Sequence, residues 1–494
     1  MEVLLGYSYQ QENWDGLGAG SSQFFTDLFL WNKLEAGNVA RPPVSSSKGK
    51  NELGSYFGRI NYSLLDKYLF TFSLRYDGSS KFGKNNKWGL FPSGAFAWKM
   101  QNENFLKDVD WLSELKLRVS FGQTGNSNIG GNAYEYYEAG NQYVFGDAVQ
   151  TGSIKSQLEN PDLKWETTTE LNVGLDFGFL NNRITGSFEY FHKVVSDLLA
   201  FRKLNSLMEV STIADNIGAT QSTGYEFSLN TVNLTGPFKW NTTLNISSYK
   251  DRWKERNPDV VLAPYEKEDA PIRAIYGCVS DGILQIGETP PASMPDLLPG
   301  QMKVKDLNGF DPNDGSKLLG HPDGKIDAAD RIYLGSTDPK VIIGFGNMLE
   351  YKNFDLNIFF YGMFGQYVAN SNRAKYGPSG CEYILQRQNY SKEVLERWTP
   401  DNPTNKFPSG FYSAYYGGDD WLLEKVSFVR CKNITLGYSF PHKWIHKVFS
   451  QARIYVDVEN PFIITNYQGL DPEMDSKGGY PSQRTYSIGI DITF

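Results

Sequence analysis

The C-terminal segment Arg484–Phe494 alternates strictly between apolar and polar side chains. Its apolar members are Tyr486, Ile488, Ile490, Ile492 and Phe494. A period of two predicts a β-strand with one apolar and one polar face. Such a strand at the edge of a soluble sheet invites aggregation, whereas a closed barrel pairs its last strand and removes the edge. About eleven residues also suffice for a tilted strand to cross a bilayer, so the segment alone fits both a membrane barrel and a soluble β-sandwich.

The same alternation recurs along the 494-residue chain, most clearly in Tyr68, Phe70, Phe72, Leu74 and Tyr76. Hydrophobic residues make up only 40% of the chain while aromatic residues reach 15%, as expected when half of each strand is polar. No apolar run approaches the roughly 18 residues that a transmembrane helix needs. The composition therefore predicts an all-β fold.

The predicted connections between strands alternate between short and long. The short ones are Leu65–Lys67, Asn181–Asn182, Asn233–Pro237 and Glu350–Asn353. The long ones are Gly122–Asp162, Lys250–Ser336 and Gly365–Asp420. Transmembrane barrels show this asymmetry, with short periplasmic turns and long extracellular loops. The absence of a sequence repeat argues against a propeller or a solenoid.

About fourteen strands are predicted, and their apolar faces tend to end in aromatic residues, as the girdle of a membrane barrel does. The first two predicted strands are Glu2–Gln10 and Ser55–Leu64. Short helices are predicted in four connecting segments, Phe24–Leu34, Asn102–Ser113, Tyr390–Trp398 and Pro441–Phe449.

Several classes of function lack support in the sequence. The net charge is −8 and no basic stripe is present, so we expect no nucleic-acid partner. Cys278, Cys381 and Cys431 are widely separated, and the four histidines are scattered, so neither a disulfide framework nor a zinc site is indicated. No nucleophile elbow, zincin motif or P-loop occurs. Carboxylates are too numerous to exclude a glycosidase pair by counting, but nothing in the sequence places two of them together, so we do not expect an enzyme.

Seven segments, spread in a fixed order over nearly the whole chain, carry a family resemblance. They are Leu74–Ser93, Leu115–Asn126, Asn160–Ile184, Asp323–Asn347, Tyr351–Gly365, Val429–Pro441 and Tyr455–Glu473. Together they resemble the C-terminal half of SusC/RagA-type TonB-dependent outer-membrane transporters. The resemblance implies a transmembrane antiparallel β-barrel of 22 strands with a plug inside, of which roughly eight strands have no counterpart here.

The resemblance also implies that residues 1–494 form a partial barrel domain in the outer membrane of a Gram-negative cell. The plug, the TonB box and the signal peptide of the family have no counterpart in the sequence. Met1–Gln10 is itself strand-like and lacks the features of a secretion signal. On this interpretation the chain alone neither closes the barrel nor couples to TonB.

The function implied by the resemblance is active import of a glycan oligosaccharide or a peptide. The implied partners are a SusD-like surface lipoprotein that lids the barrel, a TonB complex acting through the missing N-terminal part, and the barrel assembly machinery. The final strand, ending at Phe494, would serve as the assembly signal. The alternatives are a soluble carbohydrate-binding protein or glycosidase, and a passive porin or adhesin.

An acidic loop offers a candidate calcium site, although no cofactor is required by the predicted function. Its candidate ligands are Asp306, Asn308, Asp323, Asp327 and Asp330. Oxygen ligands with a glycine at the turn, here Gly324, are typical of calcium loops. About a dozen residues interrupt the spacing, and the alternative is a solvated loop whose Asp and Asn residues form turns.

Two further sets of residues are candidates for contact with a cargo or with the barrel wall. Loop aromatics suited to stacking on sugar rings are Tyr134, Tyr136, Tyr137, Tyr412, Tyr415, Tyr416 and Trp421. Their alternative role is packing in a girdle or loop, or contact with a partner protein. Charges expected on the polar face of the strands are Arg59, Arg75, Arg118, Glu166, Glu170 and Asp176. We expect these charges to pair with one another or with a plug rather than to bind cargo.

Overall fold

The computed structural model describes residues 1–494 except 40–41, 129–132, 209, 378–388, 411–418, 447 and 475–478. The first strands of the described chain are β1 (Glu2–Ala19), β2 (Val44–Leu64), β3 (Tyr68–Ser79), β4 (Trp88–Lys99), β5 (Leu112–Asn126), β6 (Tyr136–Phe145), β7 (Ala148–Gln157), β8 (Glu166–Phe179), β9 (Ile184–Ser196), β10 (Leu199–Lys203), β11 (Thr212–Asn216), β12 (Ala219–Thr235) and β13 (Phe238–Glu255). The others are β14 (Ala274–Gly277), β15 (Ser280–Ile283), β16 (Met302–Val304), β17 (Phe310–Asp311), β18 (Asp314–Leu318), β19 (Ile332–Ser336), β20 (Val341–Tyr351), β21 (Phe354–Ala369), β22 (Leu423–Ser439), β23 (Gln451–Thr465) and β24 (Thr485–Thr493).

One 14-stranded sheet contains the long strands, in the order β1-β2-β3-β4-β5-β8-β9-β12-β13-β20-β21-β22-β23-β24. Adjacent strands of this sheet pair antiparallel, as in β1 with β2 and β23 with β24. The predicted all-β, antiparallel fold and its strand number are confirmed. Chain contacts divide the molecule into a first unit (Met1–Phe96, Ser120–Glu170, Val195–Gly218) and a second unit (Ala97–Val119, Leu171–Val194, Ala219–Phe494).

Two of the short connections between consecutive long strands use left-handed backbone without glycine. Leu65 and Asp66 join β2 to β3 with φ of 57° and 52°. Leu180, Asn181 and Asn182 join β8 to β9 with φ of 54°, 56° and 60°. Turns with consecutive positive φ values match the twist of an antiparallel pair and close it tightly.

Most strands are longer than the apolar alternation predicts. β1 continues past Gln10 to Ala19, and β2 begins at Val44 rather than Ser55. The two extensions pair with each other from Gln11↔Glu52 to Ala19↔Val44. Their side chains are mainly polar or small, so the hydrogen-bonded ladder continues after the alternation of apolar residues has ended.

The long connections contain secondary structure that the sequence did not predict. They form five two-stranded sheets, β6-β7, β10-β11, β14-β19, β15-β16 and β17-β18. The described α-helices are α1 (Ser371–Tyr376) and α2 (His442–Ile445). Short 3₁₀ segments occur at Asp27–Asn32, Leu34–Ala36, Met100–Asn102, Ala328–Asp330, Lys392–Glu396 and Asp419–Leu422. The four predicted helices are therefore replaced by single turns or shorter segments, and in the described chain no helix is long and apolar enough to span a membrane.

One face of the 14-stranded sheet is apolar and uncovered by protein. Leu5 of β1 is 80% exposed, Phe72 of β3 is 59% exposed and Ile488 of β24 is 78% exposed. The alternating apolar residues of these strands are thus not pressed into a dry interior. In water, such a surface would be prone to aggregation. An exposed apolar face of this extent therefore indicates contact with a membrane or with another protein.

Aromatic rings form two rows across this apolar face in the first unit. Tyr7 of β1 stands opposite Tyr56 of β2, with ring centroids 4.9 Å apart. Six residues further along β2, Tyr62 lies 6.5 Å from Phe70, and Phe70 lies 5.1 Å from Phe96. Six residues of strand span about 20 Å, close to the about 25 Å apolar band of membrane barrels. The spacing of these two rows is that expected of an aromatic girdle, which stays a prediction.

Many of the buried apolar residues of the described chain form three small clusters. The first consists of Phe82, Phe91, Ala133, Leu163, Trp165 and Ala214. The second consists of Cys278, Leu284, Met294, Leu297 and Val304. The third consists of Val426, Phe428 and Tyr467. The loops therefore have small cores of their own, which fix them against the strands they connect.

Candidate functional site

The predicted loop aromatics do not form one described site. Tyr134, Tyr136 and Tyr137 lie at the start of the β6-β7 hairpin in the first unit, and all three are exposed. The Tyr134 hydroxyl donates to the Phe82 carbonyl at 3.2 Å. Tyr412, Tyr415 and Tyr416 lie outside the described residues.

Trp421, the remaining predicted aromatic, belongs to the second unit. Its Nε1 donates to the Lys406 carbonyl at 3.2 Å, and its ring meets the Phe407 ring edge-on at 6.0 Å. These contacts are those of a loop-packing residue. Binding of cargo by the loop aromatics stays a prediction.

The acidic loop is organised by carboxylates that accept backbone N–H groups. The Asp306 carboxylate accepts from Asp323 N at 3.3 Å and from Gly324 N at 2.8 Å. The Asn308 side-chain oxygen accepts from Gly320 N at 2.7 Å, so it bridges the inserted residues. Within the described ranges, no three acidic, histidine or cysteine side chains are placed to hold a metal ion together.

Asp330 is the anchor of this loop. It is fully buried, and its Oδ1 accepts from Leu307 N at 2.7 Å and from Asn308 N at 3.1 Å. Its Oδ2 accepts from Asp327 N at 2.8 Å, while Asp327 in turn caps the 3₁₀ segment that contains Asp330. The carboxylate thereby joins the two ends of the interrupted loop.

Replacing Asp330 with alanine is expected to lower the free energy of unfolding by about 2–3 kcal/mol, because buried N–H groups lose their acceptor. Asp323→Ala is the matched control, since Asp323 is exposed and its Oδ1 accepts only from Lys325 N within its own turn. We expect the control to change stability by less than about 1 kcal/mol. Urea titration of the folded protein measures both; equal effects would contradict the anchoring role.

Ion pairs connect neighbouring strands on the polar face of the sheet. In the second unit, the Arg118 guanidinium of β5 bonds both oxygens of Asp176 of β8, at 2.8 and 2.7 Å. Its Nη2 also lies 2.7 Å from Glu189 of β9, and Lys116 lies 3.0 Å from Asp176. The predicted pairing of these charges along the wall is confirmed for Arg118 and Asp176.

The other predicted wall charges have varied contacts. Arg75 pairs with Asp77 at 2.8 Å, whereas the Arg59 Nε donates to Ser73 at 3.2 Å. Glu166 accepts from Asn126 at 3.0 Å. Glu170 lines a cavity of about 300 Å³.

A buried ion cluster in the second unit was not predicted. The Arg430 guanidinium of β22 contacts Asp471 and Glu473 at 2.6 Å each, and Arg430 and Asp471 are 4% and 5% exposed. Burial alone would raise the pKa of Asp471, but N–H donors from Glu473 and Ser482 and the Arg430 charge hold that pKa below its usual value. The cluster ties the β23-β24 loop to the sheet. Arg430 lies in one of the segments that carry the family resemblance, and Asp471 and Glu473 lie in another. Their place in these segments was the available sequence signal for the cluster.

The C-terminal residue is placed at the edge of the sheet. β24 pairs with β23, and Phe494 follows it with an 88% exposed side chain. The Phe494 ring meets Phe449 edge-on at 5.4 Å, and Ser450 Oγ donates to its backbone oxygen at 3.2 Å. The strand therefore presents an aromatic end at the surface, and its role as an assembly signal stays a prediction.

Comparison with known proteins decides the family. A family model described as TonB dependent receptor-like, beta-barrel, matches residues 3–290. The chain belongs to the TonB-dependent receptor family. Members of this family are receptors and not enzymes, which confirms the prediction against catalysis. The chain is an outer-membrane β-barrel protein, and lipid accounts for the uncovered apolar face of its sheet.

Two curated relatives refine the family to the SusC/RagA type. TonB-dependent receptor SusC of Bacteroides thetaiotaomicron is 36% identical over 460 residues, covering 90% of this chain and 44% of the relative. TonB-dependent receptor P3 of Formosa agariphila is 34% identical over 530 residues, covering 100% of this chain and 50% of the relative. The chain thus spans about half the length of the curated relatives it matches.

Solved structures of the RagAB peptide transporter have the same fold as this chain. One matches with a TM-score of 0.82 at 25% identity, covering 100% of this chain and 53% of that chain. A RagAB peptide importer in its closed-closed state matches with a TM-score of 0.83, also over 100% of this chain. The predicted SusC/RagA resemblance is confirmed by sequence and by structure.

Proposed function

We propose that this chain is the barrel portion of an importer that carries an oligosaccharide or a peptide across the outer membrane. The observation that carries the proposal is the match of the whole chain to the RagAB structures at a TM-score of 0.82. A relative named SusC matches over 90% of the chain. The chemistry is gated binding and release, with no covalent step.

The wall of the sheet supports this role physically. Its outer face is apolar and suits lipid, as Leu5 and Ile488 show by their exposure. On its polar face, ion pairs such as Arg118–Asp176 connect neighbouring strands.

The proposal includes three partners. A SusD-like lipoprotein would lid the long loops, in keeping with the two-component RagAB transporter. A TonB complex would supply energy through a plug, as the family description implies. The barrel assembly machinery would recognise the last strand and Phe494.

Uptake in the native host tests the proposal. We expect deletion of the gene to abolish uptake of fluorescent oligosaccharides or peptides, and complementation with the full protein to restore it. Loss of TonB should have the same effect as the deletion. Uptake that persists without TonB would instead identify a passive porin and overturn the proposal.

Calcium binding by the acidic loop stays a prediction. Asp306, Asn308 and Asp323 supply oxygen ligands of the kind that calcium prefers, although each already accepts a backbone N–H. We expect a calorimetric titration with CaCl₂ to show a binding heat that Asp306→Asn removes. A flat titration of the wild-type protein would overturn the prediction.

A further inference from the structure

A cavity of about 570 Å³ lies in the second unit, where the ladder of the large sheet is interrupted. β13 pairs with β20 only as far as Ser247↔Ile342, although β13 itself continues to Glu255. β20 pairs with β21 from Val341↔Phe364 onward, and β21 continues to Ala369. β20, which separates β13 from β21, begins at Val341, whereas β13 and β21 both extend past that level. The cavity lies in the resulting gap between β13 and β21.

Three tyrosines line this cavity, namely Tyr249 of β13, Tyr333 of β19 and Tyr367 of β21. Tyr333 continues into an aromatic row, since its ring meets Tyr276 at 6.0 Å and Tyr276 meets Tyr265 at 5.5 Å. Aromatic faces of this kind pack well against the apolar C–H faces of sugar rings.

The position of Tyr367 depends on a glycine. A Cβ atom at Gly335 would lie 2.5 Å from the Tyr367 ring, so no other residue fits there without a shift. The ring is thus held against the backbone of β19, where it borders the cavity. A rigid aromatic wall loses little side-chain freedom when a ligand binds.

Polar groups around the cavity have unused hydrogen-bonding capacity. Within the described chain, the hydroxyls of Tyr249, Tyr333 and Tyr367 make no hydrogen bond, and Lys250 and Lys340 make no ion pair. A tyrosine hydroxyl is neutral at pH 7 and can both donate and accept; burial, and Tyr276 beside it, raise the pKa of the Tyr333 hydroxyl further. A sugar hydroxyl can both donate and accept, so it can bond with the tyrosine hydroxyls and accept from the lysine ammonium groups.

The backbone beside the cavity argues against a peptide ligand. A peptide commonly binds by adding a strand to a free sheet edge. Here the edge of β13 is already occupied, because Trp253 N donates to the Ala270 carbonyl at 3.1 Å and Ile272 N donates to the Asp251 carbonyl at 3.3 Å. The β13 edge of the cavity therefore gives a peptide no free ladder to extend.

We propose that this cavity binds a sugar unit of an oligosaccharide, stacked on Tyr333 and Tyr367 and hydrogen-bonded by the surrounding hydroxyl and ammonium groups. This inference deepens the proposed function by naming saccharide as the substrate class. It assigns the contact to the gap between β13 and β21 rather than to the β6-β7 hairpin aromatics.

Calorimetry on the full detergent-solubilised protein tests this site. The probes are oligosaccharides of glucose, mannose, xylose, galactose and galacturonate, and we expect at least one to bind. Tyr333→Ala and Tyr367→Ala should each weaken that binding about tenfold, the effect of losing one aromatic stack. Tyr333→Phe keeps the ring and should bind within about threefold of wild type. Tyr480→Ala is the control, because Tyr480 is 93% exposed and does not line the cavity.

The outcomes separate this inference from the proposed function. Failure of every oligosaccharide to bind, or unchanged affinity in both alanine variants, would overturn the sugar site while leaving TonB-dependent peptide uptake intact. Oligosaccharide binding combined with TonB-independent uptake would overturn the importer and keep the site. If an alanine variant fails to fold, as judged by heat-modifiable gel migration, Lys340→Gln tests the ammonium contact instead; we expect weaker binding, and unchanged affinity in this variant would overturn the site.

Discussion

Replacing Arg430 with methionine is expected to lower the free energy of unfolding by about 3–5 kcal/mol, because it leaves the buried Asp471 carboxylate without its cation. Arg430 and Asp471 are almost fully buried, and Arg430 contacts both Asp471 and Glu473 at 2.6 Å. Methionine keeps most of the side-chain volume, so the loss reports charge rather than packing. Urea titration monitored by heat-modifiable gel migration measures the change.

Lys432→Met is the matched control for this prediction. Lys432 approaches the same Glu473 at 3.8 Å but is 39% exposed. An exposed pair of this kind contributes about 0–1 kcal/mol, so we expect a small effect. A control as damaging as Arg430→Met would show that Glu473, rather than the buried pair, governs stability.

Lowering the pH should reduce the difference in the free energy of unfolding between Arg430→Met and the wild type. The pKa of Asp471 is lowered in the folded protein, so its stabilising contribution is present above the unfolded pKa and is lost as pH falls through the folded pKa. Without Arg430 that pKa rises, and protonation removes the unpaired buried charge earlier in the titration. The loss of stability in the variant, relative to the wild type, should therefore be largest at neutral pH and smallest near pH 4.

Introducing an arginine at Phe72 is expected to destabilise the barrel wall by about 2–3 kcal/mol, because a charge on the lipid face is unfavourable, most at the bilayer midplane and less towards its interfaces. Phe72 is 59% exposed and stands opposite Ile60 in the stretch between the two aromatic rows. Reversible folding into lipid vesicles, followed by tryptophan fluorescence, measures the change.

Thr71→Arg is the control, because Thr71 is the neighbouring residue of the same strand and its side chain points to the other face. Thr71 lines a cavity of about 300 Å³ and bonds Asn61 at 3.0 Å. An arginine there has space and polar surroundings, so we expect less than about 1 kcal/mol. Equal effects at the two positions would contradict the assignment of Phe72 to lipid and of Thr71 to the polar side.

The large sheet was predictable because lipid and water impose a strong period-two pattern. β3 and β24 were recognised almost to the residue from that pattern alone. The extensions of β1 and β2 were missed, since a strand surrounded by water on both faces needs no apolar side chain. Where both faces of a strand meet the same environment, the sequence shows no period-two pattern from which the strand could be predicted.

The loop structure was less predictable for a different reason. The strands β17 and β18 are two and five residues long, too short to show a period. The buried cluster of Arg430, Asp471 and Glu473 joins positions about forty residues apart. Pairing at that distance depends on the register of β22 with β23, which contains an irregularity between Cys431 and Asn433. A single sequence shows the charges but not the register that brings them together.

The left-handed turns between long strands determine which side of the wall each following residue occupies. Leu65 and Asp66 are both at positive φ, and β2 and β3 close with Leu64 opposite Tyr68. A shift of one residue would send every apolar side chain of β3 to the wet interior and every polar one to the lipid. Deleting one residue in this turn should therefore exchange the lipid-facing and polar-facing side chains of β3. Deletions in the long loops should leave the facing of the strands unchanged. The choice of which side chains of β3 face the lipid is thus made in the short turn that precedes it.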